Sequence, residues 1–235
     1  MISFVVPAYN EQRHLGVTLV ALDAAARAVG EPYEVIVVND ASTDRTAEIA
    51  ESHGARVVHV AHRQISRTRN AGAREARGEI LVFVDADTVV HAGLVRDALA
   101  AVRGGAVGGG ARIRVDGGMP RFARLVTSVI LRALAACGIA GGCFLYARRE
   151  DFWAVGGFDE RLFAAEEIAL SRALARRGRF VIVPAFVLTS GRKFRSYSSW
   201  YAFVLMCRFA LRPGMLRDRR GLDFWYEGRR EDSAA

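Results

Sequence analysis

Glu79-Ile80-Leu81-Val82-Phe83-Val84-Asp85-Ala86-Asp87-Thr88 is the stretch that decides the fold. Its apolar residues, 80–84, run without interruption into two carboxylates. A short continuous run of this kind reads as a strand buried on both faces, the type found at the centre of a parallel sheet. Asp is a poor strand former, so the strand ends at Asp85 and leaves both carboxylates at its C-terminal mouth. In open α/β sheets that mouth is where ligands bind. Two carboxylates one residue apart repel each other unless a cation joins them to a bound partner. A hard divalent ion bridging to phosphate oxygens suits such ligands. Alone, Asp-x-Asp also describes a solvated turn.

Residues 2–6, 33–38 and 56–60 repeat the apolar, β-branched pattern, and helices fill the intervals. Leu15, Leu19 and Leu22 fall at helical spacing within residues 12–29. Ser42-Thr43-Asp44 supplies an N-cap for a helix up to His53, which Gly54 stops. Ser66 caps a further helix to Arg77, and Gly78 ends it. The first 90 residues therefore alternate strand and helix four times, the pattern of a parallel sheet with helices on both sides. Three of these strands end in polar residues at one edge: Asn10 and Glu11, Asn39 and Asp40, Asp85 and Asp87. Such convergence makes a candidate site out of endings that are each weak. No G-x-G-x-x-G follows a strand and no G-K-[ST] occurs, so a nucleotide would be held by carboxylates, a metal and basic side chains.

Beyond residue 90 the pattern changes. A helix over 93–102 leads to a glycine-rich strand at 106–115, a loop at 116–120 and a mostly apolar helix at 122–136. A strand at 141–147 and the turn Gly156-Gly157-Phe158-Asp159-Glu160 follow. Glu166-Glu167 opens a helix to Arg177, where acidic groups complement the helix dipole. Short strands at 180–183 and 186–188 precede a basic segment, an apolar helix at 198–211 and a charged tail from Arg217.

The 235 residues give one large domain, or a domain with an appendage, and 51% apolar with 25% charged residues excludes a disordered composition. The net charge of +8, in which Lys193 is the only lysine, favours an anionic partner: nucleotide phosphate, an acidic membrane surface or nucleic acid. Nucleic acid is the poorest of these, because the arginines are scattered and no recognition motif accompanies them. Cys137, Cys143 and Cys207 are odd in number and set among apolar residues, so they read as reduced core cysteines of a cytoplasmic protein. The N-terminus has no signal-peptide pattern. The longest uncharged run, 133–147, falls short of the roughly 20 apolar residues that a spanning helix needs, so the chain is not expected to cross a membrane.

The chain resembles the family 2 glycosyltransferases, inverting enzymes that use nucleotide-sugar donors. The resemblance is carried, in order, by Pro7-Ala8-Tyr9-Asn10-Glu11, Val38-Asn39-Asp40-Ala41-Ser42-Thr43-Asp44, Arg69-Asn70-Ala71-Gly72, Asp85-Ala86-Asp87-Thr88, Gly156-Gly157-Phe158-Asp159-Glu160, and Glu166-Glu167 ahead of Arg172. It covers about residues 1–185. It implies an α/β fold: a single nucleotide-binding, Rossmann-like domain of GT-A type with a mixed, mostly parallel sheet. The catalytic domain would be 1–190, with a nucleotide-sugar half at 1–115 and an acceptor half at 116–190. Residues 191–235 would form a basic loop, an apolar helix and a charged tail.

The same resemblance implies roles. Pro7, Tyr9 and Glu11 line the nucleoside pocket, with Glu11 near the ribose and Asp40 facing the base. Arg69 and Asn70 close that pocket. Asp85, with Ala86 beside it, sits by the ribose and metal, and Asp87 is the direct ligand of a divalent ion, Mn²⁺ or Mg²⁺. Members of the family commonly carry Glu-Asp where this chain has Glu166-Glu167, so Glu167 stands in the base position with one more methylene, and Glu166 is the fallback. Arg192, Lys193 and Arg195 follow a strand end, where a loop can fold over a donor pyrophosphate; a basic juxtamembrane or solvated patch is the alternative reading. UDP is the commonest donor carrier in the family and GDP the next.

The acceptor stays open between a glycan and a lipid-linked molecule. Apolar and aromatic residues beside arginines in the helices at 122–136 and 198–211 suit an interfacial helix on the inner face of an anionic membrane. Packing on the core or in a homodimer is the rival explanation, and the one slightly favoured. Two alternatives to transfer remain. A sugar-phosphate nucleotidylyltransferase would show a glycine-rich basic loop where this chain has Pro7-Ala8-Tyr9-Asn10-Glu11. A non-catalytic or degenerate nucleotide-sugar-binding protein is kept open by Glu167.

Overall fold

The expected strands form, and the computed structural model describes residues 1–115, 121–191 and 216, with side chains except at 121–126. In chain order the elements are β1 (Ile2–Ala8), α1 (Leu15–Val29), β2 (Tyr33–Asp40), α2 (Thr46–Ser52), β3 (Arg56–Val60), α3 (Ile65–Glu75), β4 (Ile80–Val84) and β5 (Thr88–Val89). Then come α4 (Ala92–Arg103), β6 (Gly108–Val115), α5 (Arg121–Ala136), β7 (Phe144–Arg148), α6 (Arg149–Ala154), α7 (Glu166–Arg177) and β8 (Phe180–Thr189).

Among the described residues the strands make one sheet in the order β3-β2-β1-β4-β7-β6-β8-β5. β3, β2, β1 and β4 are parallel. β7 runs antiparallel to both β4 and β6, β8 is parallel to β6, and β5 is antiparallel to β8. The sheet is thus mixed, and its parallel half is the half that carries the polar strand ends.

Period-two alternation splits the core between the two faces. Phe4 and Val6 of β1 pack with Leu15, Leu19 and Leu22 of α1 and Leu94 of α4. Val5 faces the other way, with Ile36, Leu81 and Phe83, under α3, α6 and α7. Phe83 meets Phe152 and Phe158 at ring centroids of 5.2 and 4.9 Å, which ties the turn before α7 to the central strand. α3 approaches the sheet closely at Gly72, where a Cβ would lie 2.4 Å from Val5 Cγ1 and 2.7 Å from Val38 Cγ2. Only glycine fits there.

Several local expectations are corrected. Ser42 does not cap α2; the helix starts at Thr46, whose N–H reaches the Asp44 carboxylate at 3.0 Å. Ser66 lies inside α3, which begins after an extended Gln64, and its hydroxyl donates to Leu162 O instead. The two short strands at 180–188 are one strand. Its register with β6 skips from Ala111↔Val183 to Arg112↔Phe186, a bulge containing Pro184, which has no N–H for the ladder. β5 and α6 were not foreseen, being only 2 and 6 residues long. Cys137 is exposed rather than core, while Cys143 is buried. Arg192, Lys193, Arg195, Cys207, the loop at 116–120, the helix expected at 198–211 and the tail from Arg217 lie outside the described residues. Among those described, no helix is long and apolar enough to cross a membrane.

Gly72→Ala is expected to destabilise the protein by about 1–3 kcal/mol, the usual cost of overpacking. Chemical denaturation, read as a lower midpoint with unchanged slope, checks this.

Candidate active site

Because β2, β1 and β4 are parallel neighbours, their C-terminal ends bring Asn39-Asp40, Tyr9-Asn10-Glu11 and Asp85-Ala86-Asp87 to one edge. Much of this polarity knits loops together. Asn10 N–H donates to Ser42 Oγ (3.0 Å), Glu11 N–H to Thr46 Oγ1 (2.8 Å) and Gln12 N–H to the Asp44 carboxylate (3.1 Å). Thr43 N–H returns a bond to Asn10 Oδ1 at 2.8 Å. Pro7 and Glu11 are buried beneath this lattice.

Asp40 anchors the next loop. Its Oδ1 accepts from the N–H groups of His62 (2.7 Å) and Arg63 (2.8 Å). Its Oδ2 accepts from Gln64 N–H (3.3 Å) and Thr68 Oγ1 (2.7 Å). Four donors fill the acceptor sites of a carboxylate, so a base contact would require it to release one of them. The loop it holds places the Arg63 guanidinium 3.5 Å over the Tyr9 ring.

The Asp85-Ala86-Asp87 turn is pinned on three sides. Asp85 N–H donates to Cys143 O (3.3 Å), Thr88 N–H to Asp85 O (3.1 Å), and Thr18 Oγ1 to Ala86 O (2.8 Å). Burial, and then the negative charges of Asp85 and Asp87, push the Cys143 thiol well up, so it stays protonated.

Arg69 joins this turn to the second acidic pair. It is buried in α3, and its guanidinium donates to Asp85 Oδ1 (2.8 Å), Gly142 O (2.8 Å) and Glu166 Oε1 (2.7 Å). Burial works against its charge, but Asp85 and Glu166 more than offset that and hold it protonated. Asn70, the next residue, staples the segment leading to α7. It accepts from Phe158 N–H (3.0 Å) and donates to Phe158 O (2.9 Å) and Glu160 Oε1 (3.0 Å). Gly157, at φ 71°, lies close beneath; a Cβ there would be 2.8 Å from Asn70 Oδ1. Arg69 and Asn70 thus brace the acidic pair against the sheet edge.

Glu166 is buried and engaged by Arg69. Glu167, half-buried, has a different environment. Burial around its carboxyl and the adjacent Glu166 charge push its pKa up to about 8. Among the described residues no group of three or more His, Cys, Asp or Glu converges as a ready-made metal cage. Asp85 and Asp87 carry the oxygen donors that suit a hard divalent ion. Of the two Asp85 oxygens, Oδ1 is engaged by Arg69.

Sequence reasoning missed Arg63, Gln64 and Thr18. No turn or cap signal marks the first two, and Thr18 looks like any residue on a helix; only the fold shows what each touches.

A mixed α/β sheet whose parallel strands end in carboxylates at one edge, with a later acidic pair braced beside them, is the arrangement that the resemblance to the family 2 glycosyltransferases implies. The chain belongs to glycosyl transferase family 2, whose match covers residues 3–156. It is 34% identical over 93 residues to an undecaprenyl-phosphate 4-deoxy-4-formamido-L-arabinose transferase of Pectobacterium carotovorum, covering 37% of this chain and 28% of that protein. The chain thus spans less than half the length of the curated relatives it matches, 28% in this case. Among solved structures, Staphylococcus aureus TarS 1–349 with UDP-GlcNAc superposes at a TM-score of 0.65 with 22% identity, covering 81% of this chain and 58% of that one. The mannosyltransferase PcManGT of Pyrobaculum calidifontis, with GDP-Man and Mn²⁺, gives 0.64 and 20%, covering 87% and 64%. These structural likenesses establish the fold.

The folded protein holds the Glu167 proton more tightly than the unfolded chain does. Ionising it therefore lowers stability as pH rises from the ordinary Glu value of 4.5 to about 8. Glu167→Gln, which mimics the protonated form, is expected to be more stable than wild type. The gap should be smallest at acid pH and reach a plateau of at least about 3 °C in Tm above pH 8. Thermal melts across pH 4.5–9 check the sign.

Proposed function

We propose that this chain is an inverting glycosyltransferase that moves a sugar from a nucleoside diphosphate to an acceptor hydroxyl, with Glu167 as general base. The observation that carries the reading is the Arg69 bridge. It ties the acidic start of α7 to the Asp85-Asp87 turn, so the carboxyl with a raised pKa belongs to the residue next to one that Arg69 bridges to a pair suited to a donor's phosphates.

In this reading Pro7, Tyr9 and Glu11 line the nucleoside side, with Asp40 fixing the loop that flanks it. Asp85 and Asp87 would hold a divalent ion, Mn²⁺ or Mg²⁺, which as a Lewis acid supplies charge stabilisation to the departing diphosphate. Arg192, Lys193 and Arg195 would add positive charge there. Glu167, ionised, takes the proton of the acceptor hydroxyl as that oxygen attacks the anomeric carbon. The bond from the anomeric carbon to the phosphate oxygen breaks, and its electron pair leaves with the nucleoside diphosphate. Attack opposite the leaving group inverts the configuration. UDP and GDP sugars are the candidate donors. An acceptor at the inner face of a membrane, lipid-linked, fits the relative named for undecaprenyl phosphate.

Thermal shift with UDP- and GDP-sugars, each with and without Mn²⁺, tests the donor site. One nucleotide should give a metal-dependent rise in Tm that Asp87→Ala abolishes; no rise with any of them would remove the reading. Once a donor is identified, kcat/KM should climb with pH toward a midpoint near 8. Glu167→Gln should lose at least roughly a hundredfold in transfer while keeping nucleotide binding. Full activity in Glu167→Gln would move the base to Glu166.

A further inference from the structure

A cleft of about 650 Å³ opens between the loop before α3 and the segment before α7. Its walls carry His62, Arg63 and Arg67 on one side and Glu160, Arg161 and Phe163 on the other. Positive charge exceeds negative. Glu160 is the one carboxylate of the lining, and it is shared among Arg67 (3.6 Å), Arg74 (3.0 Å) and Asn70. Arg161 rests on Asp159 at the rim. Arg63 has no carboxylate partner among the described residues; its guanidinium lies on the Tyr9 ring.

The cleft is built rather than incidental. Asp40 grips the N–H groups of residues 62–64 and holds Arg63 at φ 50°, a backbone conformation that costs a non-glycine residue energy. Across the cleft, Gln64 Nε2 donates to Glu160 O (2.8 Å) and Leu162 O (3.0 Å), and Ser66 Oγ donates to Leu162 O (2.9 Å). The two walls therefore stand at a fixed separation with arginines on both. The first wall reaches the nucleoside side through Arg63 on Tyr9, and the second, 160–163, stands a few residues before Glu166 and Glu167, so the cleft borders both the loop held by Asp40 and the start of α7.

We propose that this cleft binds a phosphate ester carried by the acceptor, at a distance from the hydroxyl that reacts. Arginines on two facing walls suit a phosphate, which accepts from several guanidinium N–H groups at once. Such a phosphate occurs in two kinds of acceptor, a lipid-linked saccharide and a small phosphorylated metabolite. This inference rests on the transferase reading for its role, but binding is measured without transfer.

The test is isothermal titration of the full chain with farnesyl phosphate, glycerol 3-phosphate and inorganic phosphate, alongside the nucleotide identified by thermal shift. The variants are Arg67→Ala/Arg161→Ala and, separately, Arg63→Gly. Arg67 and Arg161 are 51% and 75% exposed, so removing them should not cost the fold; Gly at position 63 accepts the positive φ. At least one phosphate ester should bind wild type and weaken about tenfold or more in both variants, because charge-assisted hydrogen bonds are lost. Nucleotide affinity in the double variant should stay within about twofold. Tighter farnesyl phosphate identifies a lipid source, and tighter glycerol 3-phosphate a small metabolite. No binding by any probe, or binding that the variants leave unchanged, overturns the proposal. Equal weakening of nucleotide and ester also overturns it, since the arginines then serve the donor. Loss of nucleotide binding in wild type would sink the transferase reading alone.

Discussion

One guanidinium connects the two halves of this site. Arg69 donates hydrogen bonds to Asp85 on the strand side and to Glu166 on the helix side, residues that are far apart in the chain. Without a cation between them, two buried or half-buried carboxylates would repel and open the edge. A buried charge left without its partner costs several kcal/mol. The geometry of α7 relative to the sheet therefore depends on Arg69 as much as on the apolar packing of Leu170 and Leu174. Asn70 adds the second tie through the backbone of Phe158, and Phe158 in turn packs edge-on against Phe83. Consecutive residues of one helix thus hold the acidic pair by charge and by hydrogen bonding.

The same edge concentrates backbone strain. Among the described residues Asn10, Ala41, Arg63 and Ala165 are the non-glycine residues with positive φ, and each lies in a loop bordering the site. Three of them adjoin the lattice between residues 10–12, 40–46 and 62–64, where side-chain acceptors catch backbone N–H groups. Ala165 stands immediately before Glu166, where the chain turns sharply into α7. Unfavourable conformations of this kind persist only where surrounding bonds over-determine them. Here the bonds that do so are the motif residues themselves.

That double use explains what the sequence could and could not disclose. The parallel strands were legible because continuous apolar runs leave few alternatives, and their polar ends pointed to one edge. Order in the second half was harder. β7 is antiparallel to its neighbours, a fact set by tertiary pairing, and β8 runs through Pro184 by means of a bulge. Short elements such as β5 carry too little pattern to read. At the site, the positions of the carboxylates could be foreseen, but their partners could not. Asp40 spends both oxygens on residues 62–64 and 68, and nothing in Val38-Asn39-Asp40 announces a bond to a loop some twenty residues on. Arg63 and Gln64 acquire meaning only from what the fold brings against them.

Glu166 and Glu167 show how neighbouring carboxyls come to differ. Glu166 turns to Arg69, and its charge is matched there at 2.7 Å. Among the described residues Glu167 has no such ion pair; it bears the desolvation of its surroundings and the field of Glu166, while Arg69 offsets only part of this. Environments that divide two carboxyls in this way separate a structural role from a proton-handling one. The longer side chain fits the same division. In the proposed reaction, a base on a helix start fixed by Arg69 and Asn70 gains one methylene of reach without moving the backbone. Arg69 fixes the first carboxylate directly and acts on the second through its field.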